Sequence, residues 1–408
     1  MTEAAGVRVA RVVGRVREAV RIALSGVRAP RGEDRYDDGS LGRGVALRGT
    51  VWPGGATQPY DGVVLIGPDG IIQRIGPPAR VPIPVGVRVI GAAHTWVGPG
   101  IIDAHVHLAF GAATAALRGG VVGVRDLGAP RRDALRERTG HRRPLPGLPY
   151  VGVAGPILTA TGGYPSRSWG ADGFASFLTT PAQARLAVRG LAGDGVDLVK
   201  VAVERGPDGV WPVPRTAVLR AVVDAAHGAG LKVVAHALSV EAVGRVLDAG
   251  VDELAHTPVE LLPEALVDRV AAVGIPVVST LQTFFSGGQG RAAGQNAAAL
   301  HRAGVRLVYG TDLGNAGTRT GVDPRELDRL ADAGLGRLGA LRAATEGAAA
   351  VAGIRLRTGR LEEGRPAAAV LLNGDPLVEP GVWRVPRTVV CDGRLLEPPE
   401  GAPDTLGL

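Results

Sequence analysis

The sequence predicts an α/β fold, a (β/α)8 barrel with a small composite β-sandwich formed by the N- and C-terminal segments. Eight short β-prone segments alternate with helical patterns over roughly 250 residues in the middle of the chain, which is the size of such a barrel. Short β-prone pieces separated by Gly and Pro occur only before and after this middle part, so the two ends could pair into one sandwich. An open doubly wound sheet is the competing architecture, but no phosphate-binding glycine motif follows any strand.

Four segments follow one another along the chain. They are a basic helix with a polar linker (1–43), the first sandwich part (44–97), the catalytic barrel (98–354) and the second sandwich part (355–400). In the first segment Val9, Val13, Val16 and Val20 follow helical spacing. We expect this helix to dock on the body or on a partner subunit. Association with an anionic membrane surface and a disordered start are the alternatives.

Charge and composition exclude several classes of protein. Residues 1–31 hold seven arginines and two glutamates, so they carry +5 of the total net charge of +7. The rest of the chain is nearly neutral and poor in aromatic residues, which argues against nucleic-acid binding. The single cysteine, Cys391, excludes an internal disulfide and agrees with a reducing, cytoplasmic location. No apolar run approaches the roughly 20 residues of a transmembrane helix.

The eight barrel strands are predicted at 100–108, 120–128, 150–158, 197–204, 232–238, 251–257, 276–283 and 305–314. Parallel barrel strands end at one rim, where catalytic side chains of such enzymes lie. The polar side chains near these ends are His105, His107, Lys200, His236, His256 and Asp312. The "PDGII" segment before the barrel predicts a hairpin turn between two sandwich strands.

Histidines near several strand ends indicate a metal centre. His105 and His107 lie two residues apart on one strand, so both imidazoles point to the same face. Taken singly, each histidine fits a structural role, and Asp312 could merely cap a turn. Together they are difficult to explain by packing, because burying several imidazoles and a carboxylate without a cation is costly.

Lys200 stands out because only two of the 46 basic residues are lysines. Val199, Val201 and Val203 share one face of its strand, so Lys200 points to the opposite, interior face. A buried ammonium tends to lose its proton, and the neutral amine can react with carbon dioxide to form a carbamate that bridges two cations. Arginine cannot do so. The alternative is a lysine that reaches past the strand end to a carboxylate or solvent; the neighbouring histidines favour the carbamate.

Several motifs resemble those of the amidohydrolase superfamily, in particular imidazolonepropionase-related proteins and prolidase-type Xaa-Pro and Xaa-Arg dipeptidases. They are "GPGIIDAHVHL", "GVVGVRDLG", "LTATGGY", "DLVKVAV", "VVAHALSVEAVGRVLDAGVDELAHT" and "RLVYGTDLG". The resemblance implies two divalent metal ions, usually zinc, and a carboxylated lysine. It implies one metal held by His105, His107 and Asp312, a second held by His236 and His256, and a bridge through Lys200.

Two departures from the family pattern bear on the substrate. "AHT" stands at His256 where relatives commonly read "EHG", and "TGGY" stands where prolidase-like members often read "TGGH", which leaves Tyr164 as a substrate contact. These departures weaken any claim about one particular substrate. The further predicted substrate contacts are Arg167 after the third strand, Gln282 after the seventh and Arg319 after the eighth, each of which could instead be a solvated loop residue.

The predicted function is metal-dependent hydrolysis of an amide-type C–N bond in a small molecule, such as a dipeptide, an N-acyl amino acid or a cyclic amide. A metal-bridging hydroxide would attack, with Asp312 as general base and then acid. Ester, lactone or phosphoester hydrolysis at the same site is an alternative, as is a mononuclear centre with unmodified Lys200. A silent binding scaffold is disfavoured because all six predicted ligand positions are occupied. We also expect a homo-oligomer.

Overall fold

The computed structural model describes residues 41–139, 144, 147–166, 169–170, 172–206, 209–315 and 317–397. The predicted N-terminal helix, most of the linker and Arg167 lie outside the described residues. Within these ranges, no helix combines the length and the apolar character needed to cross a membrane.

The described residues alternate strands with short helices. In chain order the strands are β1 (Val45–Val51), β2 (Tyr60–Ile66), β3 (Ile72–Gly76), β4 (Arg88–Ile90), β5 (Trp96–Pro99), β6 (Ile101–Val106), β7 (Val121–Asp126), β8 (Tyr150–Val153), β9 (Ile157–Thr159), β10 (Ala175–Phe177), β11 (Leu198–Ala202), β12 (Lys232–His236), β13 (Glu253–Leu254), β14 (Val277–Val278), β15 (Leu307–Val308), β16 (Ala368–Leu372), β17 (Thr388–Cys391) and β18 (Arg394–Leu396).

The α-helices are α1 (Ala113–Arg118), α2 (Arg131–Glu137), α3 (Pro181–Asp194), α4 (Thr216–Gly228), α5 (Val240–Ala249), α6 (Glu264–Val273), α7 (Leu281–Ser286), α8 (Gly290–Arg302), α9 (Pro324–Leu330), α10 (Gly336–Arg342) and α11 (Ala348–Val351). Short 3-10 helices span Pro78–Arg80, Leu108–Phe110 and Pro380–Arg384, and π-helices span Ala331–Leu335 and Ala343–Gly347.

Strands from both ends of the chain share one sheet. Its order is β18-β17-β16-β5-β1-β2-β3, with β4 paired to β1. The two ends join where β16 runs antiparallel to β5, with Leu371 opposite Val97. β2 and β3 pair antiparallel around the predicted "PDGII" turn. The pairing of the two ends agrees with the sequence, while the domain boundaries stay a prediction.

The middle of the chain forms two parallel sheets, ordered β6-β7-β8 and β10-β9-β11-β12-β13-β14-β15. All eight predicted strand segments contain described strands, although the third is divided between β8 and β9. The seventh was predicted to reach residue 283 but ends at Val278, and α7 begins at Leu281. The reason is tertiary: the buried Glu326 carboxylate accepts hydrogen bonds from the backbone N–H groups of Leu281 and Gln282, which stabilises a helix start.

No closed barrel is found among the described residues, so the structure shows an α/β fold with parallel sheets in place of the predicted (β/α)8 closure. Only isolated backbone hydrogen bonds join the two sheets, such as Asp312 N–H to the His105 carbonyl at 2.8 Å and Asp197 N–H to the Val153 carbonyl at 2.9 Å. At the edge facing β6, β15 contains only two residues, so the contacts of the segment after it with β6 stay isolated instead of forming a ladder.

Side chains along β11 point alternately to its two faces, and this alternation determines which residues reach the interior. Val199 and Val201 belong to the main hydrophobic core that the helices cover. Leu198 belongs instead to a small separate cluster with residues of neighbouring strands, among them Val234 and Ala255. Successive strand residues point to opposite faces, so Lys200 shares the face of Leu198, as predicted. Lys200 is 1% exposed.

We predict that Gly70→Ala destabilises the protein through the contact between the two ends of the chain. Gly70 has φ of +79°, and an added Cβ would meet the Cα of Gly393 in the turn between β17 and β18. Gly364 is a matched control, since its φ is +80° but no atom lies within 4 Å of the added Cβ.

The backbone strain alone should cost about 1–2 kcal/mol in Gly364→Ala, and the steric overlap should add about 1–3 kcal/mol in Gly70→Ala. Chemical denaturation of both variants measures the difference. An equal loss in the two variants would show that the turn-to-turn contact is unimportant.

Candidate metal centre

Six polar side chains meet where the parallel strands end. His105 lies in β6 and Lys200 in β11, His236 ends β12, and His107, His256 and Asp312 lie just beyond their strands. All six are buried, none more than 6% exposed. The structure therefore brings together the residues that the sequence selected for a metal centre, and their roles as ligands stay a prediction.

The Asp312 carboxylate lies at the middle of this group. Its Oδ1 is 3.2 Å from His105 Nε2 and 3.4 Å from His107 Nε2, and its Oδ2 is 4.0 Å from His256 Nδ1. Ligand atoms of His105, His256 and Asp312 all lie within 4.8 Å of one another, a spacing at which one metal ion could contact all three. His105, His256 and Asp312 are called the compact group below.

Hydrogen bonds orient two of the imidazoles. His105 Nδ1 lies 2.9 Å from the Ala255 carbonyl oxygen, and His107 Nδ1 lies 3.0 Å from the Gly128 carbonyl oxygen. A carbonyl can only accept, so Nδ1 carries the proton in each ring and Nε2 presents its lone pair. Both Nε2 atoms face Asp312, which is the orientation that metal-binding histidines usually have.

His236 and His256 are joined to each other. His236 Nδ1 lies 2.9 Å from His256 Nε2, and His256 Nδ1 lies 3.0 Å from the Thr280 hydroxyl. The two rings are close to perpendicular, with centroids 4.7 Å apart. His236 therefore adjoins the compact group through His256.

The donor set fits a divalent cation. His105 Nε2, Asp312 Oδ1 and Lys200 Nζ are buried and lack a hydrogen-bond partner in the described structure. Such atoms carry a desolvation cost that a bound cation would offset at the imidazole and the carboxylate. Imidazole nitrogen and carboxylate oxygen together suit zinc and similar metals. Nζ could contribute only after losing its proton, since an ammonium has no lone pair.

Burial favours the neutral form of three of the imidazoles and of the Lys200 amine. Desolvation, followed by the neighbouring Lys200, lowers the pKa of His105 well below its usual value. Burial does the same for the pKa of His236 and His256. Burial also lowers the pKa of Lys200 to about 7, with Asp312 acting in the opposite direction. These three imidazoles are thus uncharged near neutral pH, as metal coordination requires.

Two buried carboxyl groups that the sequence analysis missed support the centre. Asp103 accepts hydrogen bonds from His105 N–H, Thr311 N–H and the Thr311 hydroxyl, the last at 2.6 Å. It therefore ties the strand of His105 to the residue before Asp312. The available signal was its position in "DAHVH", two residues before His105 and on the same strand face. Burial raises the pKa of Asp103 to about 7.

The second missed carboxyl group, Glu326, supports the loop beside His256. It caps α7 directly after Thr280, whose φ is +45°. A β-branched residue in this region is strained, and the surrounding contacts must hold it there. Nothing in the local sequence indicated this, because Glu326 is distant along the chain.

The predicted substrate contacts have different surroundings. The Tyr164 ring stacks on His236 with centroids 4.3 Å apart, and its hydroxyl accepts a hydrogen bond from the Trp169 indole. Gln282 is buried in α7, and its Nε2 donates to the Ser286 hydroxyl. The Arg319 guanidinium donates to the Arg384 carbonyl at 3.2 Å. Tyr164 is thus brought to the metal centre, while Arg319 already has a protein partner.

Known proteins resemble this chain over most of its length. Residues 96–396 match the profile of the Amidohydrolase family. An uncharacterized protein of Mycobacterium tuberculosis (strain ATCC 25618 / H37Rv) is 29% identical over 342 residues, covering 74% of this chain and 86% of that protein.

Two solved structures show a similar fold. One is a Xaa-Pro dipeptidase with methionine bound in its active site, at a TM-score of 0.75 and 22% identity, covering 87% of this chain and 100% of that chain. The other is a proposed prolidase from Bifidobacterium longum, at a TM-score of 0.74 and 26% identity, covering 88% of this chain and 96% of that chain.

We predict that His105→Ala weakens zinc binding by roughly 100-fold or more, because it removes a ligand whose lone pair is oriented toward Asp312. Isothermal titration of metal-stripped protein with Zn²⁺ measures the effect. His94→Ala is the matched control, since His94 is exposed and lies before the parallel sheets. Equal zinc affinity in wild type and His105→Ala would contradict the assignment.

Proposed function

Because the chain belongs to the amidohydrolase family, we propose that it uses bound divalent metal to hydrolyse an amide-type bond in a small molecule. Hydrolysis of carbon–nitrogen bonds follows from the family and its relatives. The proposal adds the reaction centre and the substrate class: a dipeptide, an N-acyl amino acid or a cyclic amide. The main observation in support of this proposal is the compact group, which is buried at the ends of the parallel strands.

Two zinc ions would be held by this chain in the proposed centre. His105, His107 and Asp312 would hold one, His236 and His256 the other, and modified Lys200 would lie between them. Bound metal supplies Lewis acidity, which lowers the pKa of water and polarises the scissile carbonyl. The lowered pKa of His105 and the unsatisfied Oδ1 of Asp312 support metal binding here, while the division of the histidines between two ions follows the family resemblance.

Asp312 would move the proton. Its carboxylate accepts the proton of the attacking water and returns it to the leaving nitrogen, as general base and then acid. The Asp312 side chain is 9% exposed, so access of bulk water to this carboxylate is limited. The backbone N–H of Asp312 donates to the His105 carbonyl at 2.8 Å. This hydrogen bond keeps the Asp312 carboxylate close to the histidines.

Lys200 would act as a carbamate. Its pKa of about 7 leaves much of the side chain as the free amine at neutral pH. The amine nitrogen forms a bond to the carbon of CO₂, and one N–H proton leaves to solvent. The product is an anion with two oxygens. This change converts a buried atom without a partner into a group that can contact two cations.

Other features of the proposal rest on the sequence and the family. The parallel strands would correspond to the barrel of the family, and Tyr164 and Gln282 would contact the substrate. Because one structural relative is a Xaa-Pro dipeptidase, dipeptides ending in proline are the first substrates to test. A cytoplasmic location and a homo-oligomeric state are further parts of this proposal.

Lys200→Arg should remove a carbamate that wild-type protein forms. The chain has only one other lysine, Lys232, so protein equilibrated with ¹³C-bicarbonate should give one lysine carbamate signal by NMR. Lys200→Arg should lose this signal and bind about one zinc per chain instead of two. Lys232→Arg is the control and should keep both properties. A carbamate signal that persists in Lys200→Arg, or undiminished hydrolysis, would refute the bridging role.

Asp312→Asn should reduce kcat by about 10²–10⁴-fold, the usual contribution of a general acid–base group. A panel of Xaa-Pro dipeptides, N-acyl amino acids, cyclic amides, lactones and phosphoesters, assayed with zinc-loaded protein, identifies the bond. Hydrolysis of esters or phosphoesters alone would favour the alternative chemistry. Full activity of Asp312→Asn on the best substrate would exclude Asp312 as the proton carrier.

A further inference from the structure

Aromatic side chains are scarce in this protein but concentrated beside the metal centre. The chain has five Trp, five Tyr and five Phe residues among 408. Five of them form one connected cluster, called the aromatic wall: Phe110, Tyr164, Trp169, Phe174 and Trp211. Six other aromatic residues of the described chain are buried in the hydrophobic core, whereas the five of the wall are only partly buried.

The aromatic wall touches two histidines of the candidate metal centre. Trp169 packs against His107 with centroids 4.8 Å apart, and Tyr164 stacks on His236 at 4.3 Å. The Trp169 indole N–H donates to the Tyr164 hydroxyl at 3.1 Å, so these two residues form one continuous surface. A molecule that reaches the metal centre along this surface must contact both rings.

The remaining rings extend this surface away from the histidines. Trp211 lies nearly parallel to Tyr164, at 6.2 Å between centroids and 22° between planes. Phe110 is nearly parallel to Phe174, with centroids 5.7 Å apart, and both contact Trp169. All five side chains are only partly buried, so ring area remains accessible.

The rings come from three loops at the same end of the parallel sheets. Phe110 follows β6, the segment between β9 and β10 supplies Tyr164, Trp169 and Phe174, and Trp211 follows β11. Loops at this end supply the substrate contacts in barrel enzymes. The wall therefore occupies the position of a substrate-binding surface.

Two charged residues of the loop after β11 already have partners within the protein. The Arg205 guanidinium forms two hydrogen bonds with the Glu241 carboxylate, both at 3.0 Å. Glu204 accepts hydrogen bonds from Leu238 N–H and Ser239 N–H, the first at 2.9 Å. The hydrogen-bonding capacity of these two side chains is thus largely used within the protein, and the described surface beside them consists of ring faces.

We propose that the aromatic wall binds a planar, apolar group of the substrate next to the scissile bond. The substrate class is then an amide that carries an aromatic ring or a similar flat hydrophobic group. This inference rests on the proposed metal-dependent hydrolysis. Tyr164, Trp169 and Trp211 are its specificity-determining residues, since stacking requires flat partners with offset or edge contacts.

Three hydroxamates that differ only in their apolar group test the inference without requiring the substrate. Acetohydroxamate, cyclohexanecarbohydroxamate and benzohydroxamate share the same metal-binding head. We expect zinc-loaded protein to bind benzohydroxamate about tenfold more tightly than the cyclohexyl compound, the upper range of a stacking contribution. Tryptophan fluorescence quenching measures the dissociation constants.

The outcomes separate the inference from the proposed function. If none of the three binds in a zinc-dependent way, the metal centre itself is wrong. If all three bind but benzohydroxamate and cyclohexanecarbohydroxamate bind equally well, the metal centre is supported and the proposed role of the aromatic wall is wrong.

Variants distinguish substrate binding from a structural role. Trp211→Leu and Trp169→Leu should each weaken benzohydroxamate binding several-fold and leave acetohydroxamate binding unchanged. Phe177→Leu is the matched control, because Phe177 is exposed in β10 and outside the wall, and it should change neither. A parallel loss for both hydroxamates in the tryptophan variants would indicate a structural role and overturn the proposal. Isothermal titration replaces fluorescence for these variants.

Discussion

The contact between the Asp312 carboxylate and the surrounding imidazoles is the constraint on which the rest of the site depends. Oxygens of one carboxylate lie within about 4 Å of three histidine nitrogens, all shielded from water. Asp312 adopts φ of +57°, a region that non-glycine residues rarely occupy. The hydrogen bond from its N–H to the His105 carbonyl and the bonds from Thr311 to Asp103 hold this conformation.

Burial favours the neutral form of several groups in this polar interior, while three atoms at its middle have no hydrogen-bond partner: His105 Nε2, Asp312 Oδ1 and Lys200 Nζ. Burial raises the pKa of Asp103 and lowers the pKa of four basic groups, which reduces the charge on these side chains: His105, His236, His256 and Lys200. The charge that remains deeper in the interior is paired, since Arg125 and Glu253 form a buried ion pair between β7 and β13. Arg125 also donates to the Ala104 carbonyl, one residue before His105. Such a pair is costly to break, since one partner alone would leave an uncompensated buried charge.

Two kinds of side chain thus meet at one end of the parallel sheets. Polar groups from the strand ends could hold metal, and aromatic rings from the loops cover the approach to them. The strands provide rigid positions, whereas the loops can vary without disturbing the core. The six candidate ligands accordingly stand in recognisable sequence motifs, whereas only Tyr164 of the aromatic wall does, in "LTATGGY".

The sequence by itself determined the α/β alternation, the pairing of the two chain ends and the identity of the six central residues. Each follows from local information, since period-two alternation turns Lys200 inward and parallel strands end together. Only the tertiary structure decided what depends on distant contacts. Glu326 converts the end of the seventh predicted strand into a helix, and Asp103 joins His105 to Thr311. The absence of barrel closure among the described residues and the aromatic wall are likewise tertiary, because ladder length and ring contacts involve residues far apart in the chain.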